Sequence, residues 1–292
     1  MVKDNSDLTA YEKEYNLWIE KLGIFDKWTP DSRLSQTQEK RWDNRADDFV
    51  KRPVPTVEDH LFFRKLIEIV NPDSNMTVLD IGSGGGHLSV ALAPYVKSVL
   101  GIDVSGNMVK HAAELAKENK ANNVTFEHRD WSDMSPEDPL IKNGFDIVFA
   151  HMTPAVGTAN DFIKMMDISK KYLFMTKPVR RHNPVAENLW KLVGVNPPVA
   201  SADKDISCAF MLGWQRGFNP ELFYENRTWD GVMTVDEAVE KYRNEFSYAG
   251  LNFDEQTVKD YFRSISENGM VDDTTYTEIA TIYWQIKSDD KS

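Results

Sequence analysis

Thr77-Val78-Leu79-Asp80-Ile81-Gly82-Ser83-Gly84-Gly85-Gly86-His87 is the stretch on which the fold turns. It opens as a short apolar strand, TVLDIG over 77–82, crosses a run of glycines, and leads directly into a helix reading HLSVALAPYV over 87–96. Glycine is needed where the backbone turns at positive φ, or where a ligand must approach with no Cβ in the way. A dinucleotide-binding loop of the form G-x-G-x-x-G would put its third glycine at 87, but that position is His87. The pattern is instead D-x-G-x-G-x-G, in which Asp80 leads glycines 82, 84 and 86. Alone, such a loop is equally well a structural turn between strand and helix, so the surrounding chain has to decide.

Outward from the loop, strand and helix alternate. Strands are predicted at 98–103, 124–130, 145–151 and 172–177, with helices at 106–120 and 161–170 and a further helix ahead of the loop starting at Thr56. Short buried strands separated by helices predict an α/β fold with a doubly wound, Rossmann-like parallel sheet, whose ligands lie at the C-terminal strand ends. Residues 8–28 and 36–50 read as helices closed by Gly23, Pro30, Pro53 and Pro55, which makes 1–55 an N-terminal helical extension or cap. Toward the C-terminus, strands at 220–229 and 277–286 flank helices at 235–246 and 254–268. We expect residues 56–292 to form one domain, with a helical lid inserted at about 232–270 between its last two strands.

Four features fall where a nucleoside cofactor would use them. Asp103 ends the second strand, with Val104 beside it, where a carboxylate can accept bonds from both ribose hydroxyls. Asp130-Trp131 follows the third strand and offers an acceptor for an adenine amino group beside a flat apolar surface, although Trp131 is as readily a core residue. No P-loop lysine follows the glycines, which disfavours a triphosphate. Ahead of the sheet, Trp42-Asp43-x-Arg45-Ala46 lies on an aromatic helix able to close over a bound nucleoside.

With these residues the chain resembles the class I S-adenosylmethionine-dependent methyltransferases, most closely over residues 40–180. The resemblance implies a seven-stranded sheet with its last strand antiparallel. It also implies that the loop from Asp80 through Gly82, Ser83, Gly84 and Gly86 holds the methionine part of S-adenosylmethionine. His87 would line the same pocket, Asp103 would bind the ribose, and Asp130 and Trp131 would contact adenine. The stretch with Trp42 and Arg45 is similar to the first helix of small-molecule methyltransferases. One departure narrows the acceptor: enzymes that methylate adenine or glutamine amides carry an Asn/Asp-Pro-Pro-aromatic loop after the fourth strand, and here His151-Met152-Thr153-Pro154-Ala155 stands there. Asn196-Pro197-Pro198-Val199 comes after the fifth strand and reads as a turn.

On the acceptor side, His151 ends the fourth strand, placed either as a general base or as a satisfied strand-end histidine. Thr153 follows it. Lys177, Arg180 and Arg181 come after the predicted fifth strand, either as a solvated rim or as a grip on a carboxylate or phosphate of the acceptor. The six histidines and Cys208 never fall at paired ligand spacing, so no metal is expected.

Composition bounds the partners. The 292 residues carry a net charge of -12, distributed as -3 over 1–60, -4 over 61–160, +4 over 161–200 and -9 over 201–292. A chain acidic over most of its length is a poor match for DNA or long RNA, whose binding rests on Lys and Arg displacing phosphate counterions. With one cysteine, no signal-peptide pattern and no apolar run near the roughly 18 residues that span a bilayer, the expected setting is the cytoplasm. The reading is a methyltransferase for a small-molecule acceptor. Its rivals are a protein side chain as acceptor, or a non-catalytic binder of the same cofactor.

Overall fold

The computed structural model describes residues 52–195, 202–248, 250–251 and 254–286, together with Gly23, Trp28, Glu39, Trp42 and Asp43. The helices expected over 8–28 and 36–50, Arg45, and the Asn196-Pro197-Pro198 turn therefore lie wholly or largely outside the described residues.

Helix α1 (Leu61–Val70) precedes β1 (Thr77–Ile81) and α2 (His87–Leu92), followed by β2 (Ser98–Asp103), α3 (Gly106–Glu118), β3 (Val124–His128), β4 (Phe145–His151), α4 (Ala159–Ile168) and β5 (Ser169–His182). After these come α5 (Pro184–Leu192), α6 (Asp203–Gln215), β6 (Glu221–Trp229), β7 (Val232–Thr234), α7 (Val235–Tyr248), α8 (Glu255–Ile265), β8 (Met270–Asp272) and β9 (Thr275–Gln285). The main sheet has seven strands in the order β3-β2-β1-β4-β5-β9-β6. Strands β1 to β5 pair in parallel, with Asp80 opposite both Gly101 and Phe149, and His151 opposite Thr176. β9 runs antiparallel to β5: Ile286 N donates to Lys171 O, while Thr176 and Thr281 share a hydroxyl bond at 2.9 Å. The expected α/β sheet with an antiparallel finish is the one that forms.

Local chemistry sets the element ends. α1 starts at Leu61 and not at Thr56, because Thr56 N donates to Asp59 Oδ1 in a separate turn and His60 Nδ1 then caps Phe63 N. Pro94 converts the end of the second predicted helix into a single 3-10 turn, Ala93–Tyr95. β5 outruns its expected end at Lys177 by five residues. Its polar tail, PVRRH, lacks the apolar signature of a buried strand, but Val179 O accepts from Thr277 Oγ1 and so keeps the tail beside β9.

The chain divides into two compact units, with boundaries inside β5, β6 and β9. The first comprises residues up to Lys177, Asp203–Phe223 and the segment from Ala280. In it, Phe62, Phe63, Leu66 and Val70 of α1 pack with Val78, Ile147, Phe149 and Phe174 of the central strands. The second comprises Pro178–Ala202 and Tyr224–Ile279, a wider span than the insertion read at 232–270. Its own core is built from Leu189, Trp190, Tyr242, Phe246, Val258 and Phe262. Beside that core Asp273 is buried, accepting from Tyr242 Oη at 2.8 Å and Asn183 Nδ2 at 2.9 Å and pairing with Lys241. A buried carboxylate met in this way is a fixture of that unit's packing.

Candidate functional site

The C-terminal ends of β1, β2 and β4, all in the first unit, bring most of the predicted residues together. The glycine loop is anchored to the neighbouring strand, since Gly82 N and Ser83 N both donate to Ile102 O, at 2.8 and 3.0 Å. Gly82, Gly84 and Gly86 all have positive φ. Gly86 is the left-handed residue from which α2 departs.

Asp103 locks the middle of this loop. Its Oδ2 accepts from Gly84 N at 2.8 Å and its Oδ1 from Ser105 N at 2.9 Å. Burial pushes its pKa up, opposed by the two backbone bonds and by His128, while the nearby Asp43 carboxylate adds to the rise. Asp80 is buried beneath the loop and accepts from Ser89 Oγ at 2.7 Å. Burial raises its pKa to about 7, with Ser89 opposing and the charge on Asp103 reinforcing.

Asp80 should leave a trace in stability. Its pKa is raised above the unfolded value, so between about pH 4 and 7 the folded chain holds a proton that the unfolded chain has released. Stability from this group is therefore present at low pH and lost as pH rises toward 7. The gap in urea midpoint between the Asp80→Asn variant and the ligand-free wild type should widen in the variant's favour from pH 4 to 8; a constant gap would mean that Asp80 is not the buried acid it looks.

Two buried polar atoms in the loop, Ser83 Oγ and His87 Nε2, have no hydrogen-bond partner among the described residues. Buried polar atoms are rarely left so, and both lie where the methionine part of the cofactor is expected. Among the described residues, a Cβ built on Gly84 would meet nothing within 4 Å, so they leave the crest of the loop open. The carboxylates of Asp80, Asp103 and Asp130 suit a ligand with a sulfonium, an ammonium and ribose hydroxyls.

The remaining predicted residues divide. Asp130 is half-buried and accepts through Oδ1 from Ser132 N and Oγ. Trp131 is a core residue and not an open adenine wall: it is 2% exposed, its Nε1 donates to Asp161 O, and Lys164 lies over its ring. Val104 accepts from His128 Nε2 through its carbonyl at 2.8 Å. Trp42 is half-buried and helical. His151 packs against Phe62 and His60, with ring centres 4.5 and 5.3 Å away. Thr153 lies directly over Gly82.

The expected grip on an anion is changed by the structure. Lys177 does not follow β5 but lies within it, and its ammonium is buried against loop carbonyls. Arg180 and Arg181 belong to the second unit, where Arg180 pairs with Glu278 and Arg181 lies over the Trp229 ring, 4.5 Å from its centre. Charge runs are usually satisfied within the protein, and here each of the three cations has a partner.

One contact beside the site went unread in the sequence. Asp43 Oδ1 accepts from Ser105 Oγ at 2.5 Å and from Asn107 N, which joins Asp43 to the start of α3 beside Asp103. Glu39 reaches His128 nearby. The signal was present in Asp43 next to Trp42, but a contact across 62 residues leaves no local periodicity.

Residues 72–183 match a family described as a methyltransferase domain. An uncharacterized protein of Haemophilus influenzae is 27% identical over 143 residues, which is 49% of this chain and 51% of the relative. The demethylmenaquinone methyltransferase of Porphyromonas gingivalis is 32% identical over 106 residues, 35% of this chain and 40% of the relative. Further matches are named for release factor glutamine, in Fusobacterium nucleatum, and for a 23S rRNA uracil, in Salmonella typhimurium. The chain thus spans about half, or less, of the length of the curated relatives it matches. The crystal structure of YcgJ from Bacillus subtilis covers 78% of this chain and 100% of its own, with a TM-score of 0.50 at 18% identity, a likeness of fold. Among the described residues no helix is long and apolar enough to cross a membrane, and no three His, Cys, Asp or Glu side chains gather as a metal set.

Proposed function

With residues 72–183 matching a methyltransferase-domain family, we propose that this chain is a class I S-adenosylmethionine-dependent methyltransferase that transfers the cofactor's methyl group to a small-molecule acceptor. The observation that carries the reading is the glycine loop, open at Gly84, bonded to Asp103 and lined by the unpartnered Ser83 Oγ and His87 Nε2. In this reading Gly82, Ser83, Gly84, Gly86 and His87 surround the methionine part, Asp103 takes the ribose hydroxyls and Asp130 the adenine amino group. The sulfonium is already a good leaving group, so the protein's task is to align donor and acceptor and exclude water. His151 at the end of β4 is the base for an acceptor that must lose a proton, and Thr153 is its neighbour on the acceptor side. The acidic surface, -12 overall and -9 beyond residue 200, favours a small acceptor over a polyanionic RNA.

The test is methyl transfer from labelled S-adenosylmethionine into a pool of metabolites, with mass identification of the product. Label in a small product supports the proposal. Label confined to protein moves the acceptor to a side chain, and tight binding with no transfer to any pool would make the chain a binder.

A further inference from the structure

Among the described residues of the first unit two lysines are buried, and the proposed chemistry uses neither. Lys164 on α4 is 8% exposed and Lys177 on β5 is 4% exposed. Lysine is almost never fully buried, because taking an ammonium out of water is costly unless its protons are met. Carboxylates are near, but they are not what these groups bond most closely. Asp205 stands 3.6 Å from Lys177 Nζ, while Asp161, Asp130 and Asp133 act on Lys164 as neighbouring charges.

Both ammonium groups turn to main-chain carbonyls. Lys177 Nζ donates to Thr153 O at 2.8 Å and to Val156 O at 2.7 Å. Lys164 Nζ donates to Trp131 O and to Met134 O, the latter at 2.8 Å. These carbonyls belong to two turns that follow the C-terminal ends of β4 and β3. One starts with Thr153, which lies on Gly82; the other starts with Asp130. A turn beyond a strand end has lost its ladder partners, so its carbonyls need another donor. An ammonium can bridge two carbonyls of one turn with charge-assisted bonds, which are about twice as strong as neutral ones. Burial lowers the pKa of both lysines, as expected of desolvated cations.

We propose that Lys164 and Lys177 are positioning residues, each clamping one wall of the cofactor site: Lys164 the Asp130 turn and Lys177 the Thr153 turn. The proposal rests on the reading of these strand ends as the S-adenosylmethionine site, and the experiment separates the two.

In the full chain labelled with 15N-lysine, two ammonium signals should exchange slowly with water, each vanishing in one of the Lys164→Met and Lys177→Met variants. Saturation with S-adenosylhomocysteine should slow their exchange further, by about tenfold. In the folded variants, loss of amide protection should be confined to 130–134 for Lys164→Met and to 152–157 for Lys177→Met, and S-adenosylhomocysteine should bind about tenfold more weakly to each. Wild type without protected ammonium signals, or with signals indifferent to the ligand it binds, would overturn the clamps. So would folded variants with wild-type affinity, or protection lost evenly over the whole unit. If wild type fails to bind S-adenosylhomocysteine, the site reading falls, while the ammonium signals and the confined amide footprints still judge whether the lysines hold the turns.

Discussion

Gly82→Ala is expected to abolish the native fold or leave it barely stable, whereas Gly84→Ala should fold and fail to bind S-adenosylmethionine. The contrast comes from what surrounds each residue. At Gly82 φ is +69°, and an added Cβ would stand 2.0 Å from Thr153 Oγ1 and 2.7 Å from Thr153 Cβ. Thr153 has little room to yield, because its carbonyl is bonded to Lys177 and its Oγ1 accepts from Ala155 N. The loop cannot retreat either while Gly82 N and Ser83 N are bonded to Ile102 O. Left-handed strain of about 1–3 kcal/mol and overpacking of about 1–3 kcal/mol together approach the roughly 5–15 kcal/mol by which a domain is stable. Gly84 also has positive φ, +52°, but none of the described residues lies within 4 Å of its Cβ position. Its substitution costs the backbone about 1–2 kcal/mol and sends the new methyl into the open face of the loop. Urea midpoints should therefore separate the variants in one order and calorimetric titration with the cofactor should show the binding loss in Gly84→Ala. Wild-type affinity in that variant would mean that the cofactor does not cross Gly84.

Much of the first unit was legible because its signals are local. Apolar runs such as Val78-Leu79 and Ile147-Val148-Phe149 mark strands buried on both faces, and Asp103 and His151 sit at their ends simply because the strands stop there. What escaped the sequence depends on long-range partners. Apart from the buried Val179, the tail of β5 carries no apolar run and ends in the exposed Arg180, Arg181 and His182, so its pairing beside β9 could not be foreseen from Pro178 to His182. Trp131 could be read as wall or core, and the choice is made by Asp161 and Lys164, some thirty residues away. Lys177 looked like a cation for a ligand because sequence shows charge but not burial. The division into two units is equally silent in the pattern, since its boundary passes through the middle of three strands.

Asp103→Ala should weaken S-adenosylmethionine binding by about 1–3 kcal/mol, roughly 5- to 150-fold, with Asp103→Asn falling between it and wild type. The alanine variant removes the ribose acceptor and strands two backbone donors, Gly84 N and Ser105 N, which now hold the loop and the start of α3 to one carboxylate. The asparagine variant keeps one acceptor oxygen and loses the charge. That charge gives the second readout. Burial raises the pKa of Asp103, so in the free protein the carboxylate stays protonated to higher pH than an ordinary aspartate. Only the ionised form accepts from both ribose hydroxyls and attracts the sulfonium, so wild-type affinity should rise as pH climbs through the acid range and then level off. Asp80 titrates nearby and is coupled to Asp103 through their charges, so wild type alone cannot assign the rise. The difference between Asp80→Asn and the double variant Asp80→Asn/Asp103→Asn can, because Asp80 no longer titrates in either. If calorimetry from the ordinary aspartate range, about pH 4, up to pH 8 gives parallel curves, or if Asp103→Ala binds as tightly as wild type, the carboxylate only braces the loop and the ribose is held elsewhere.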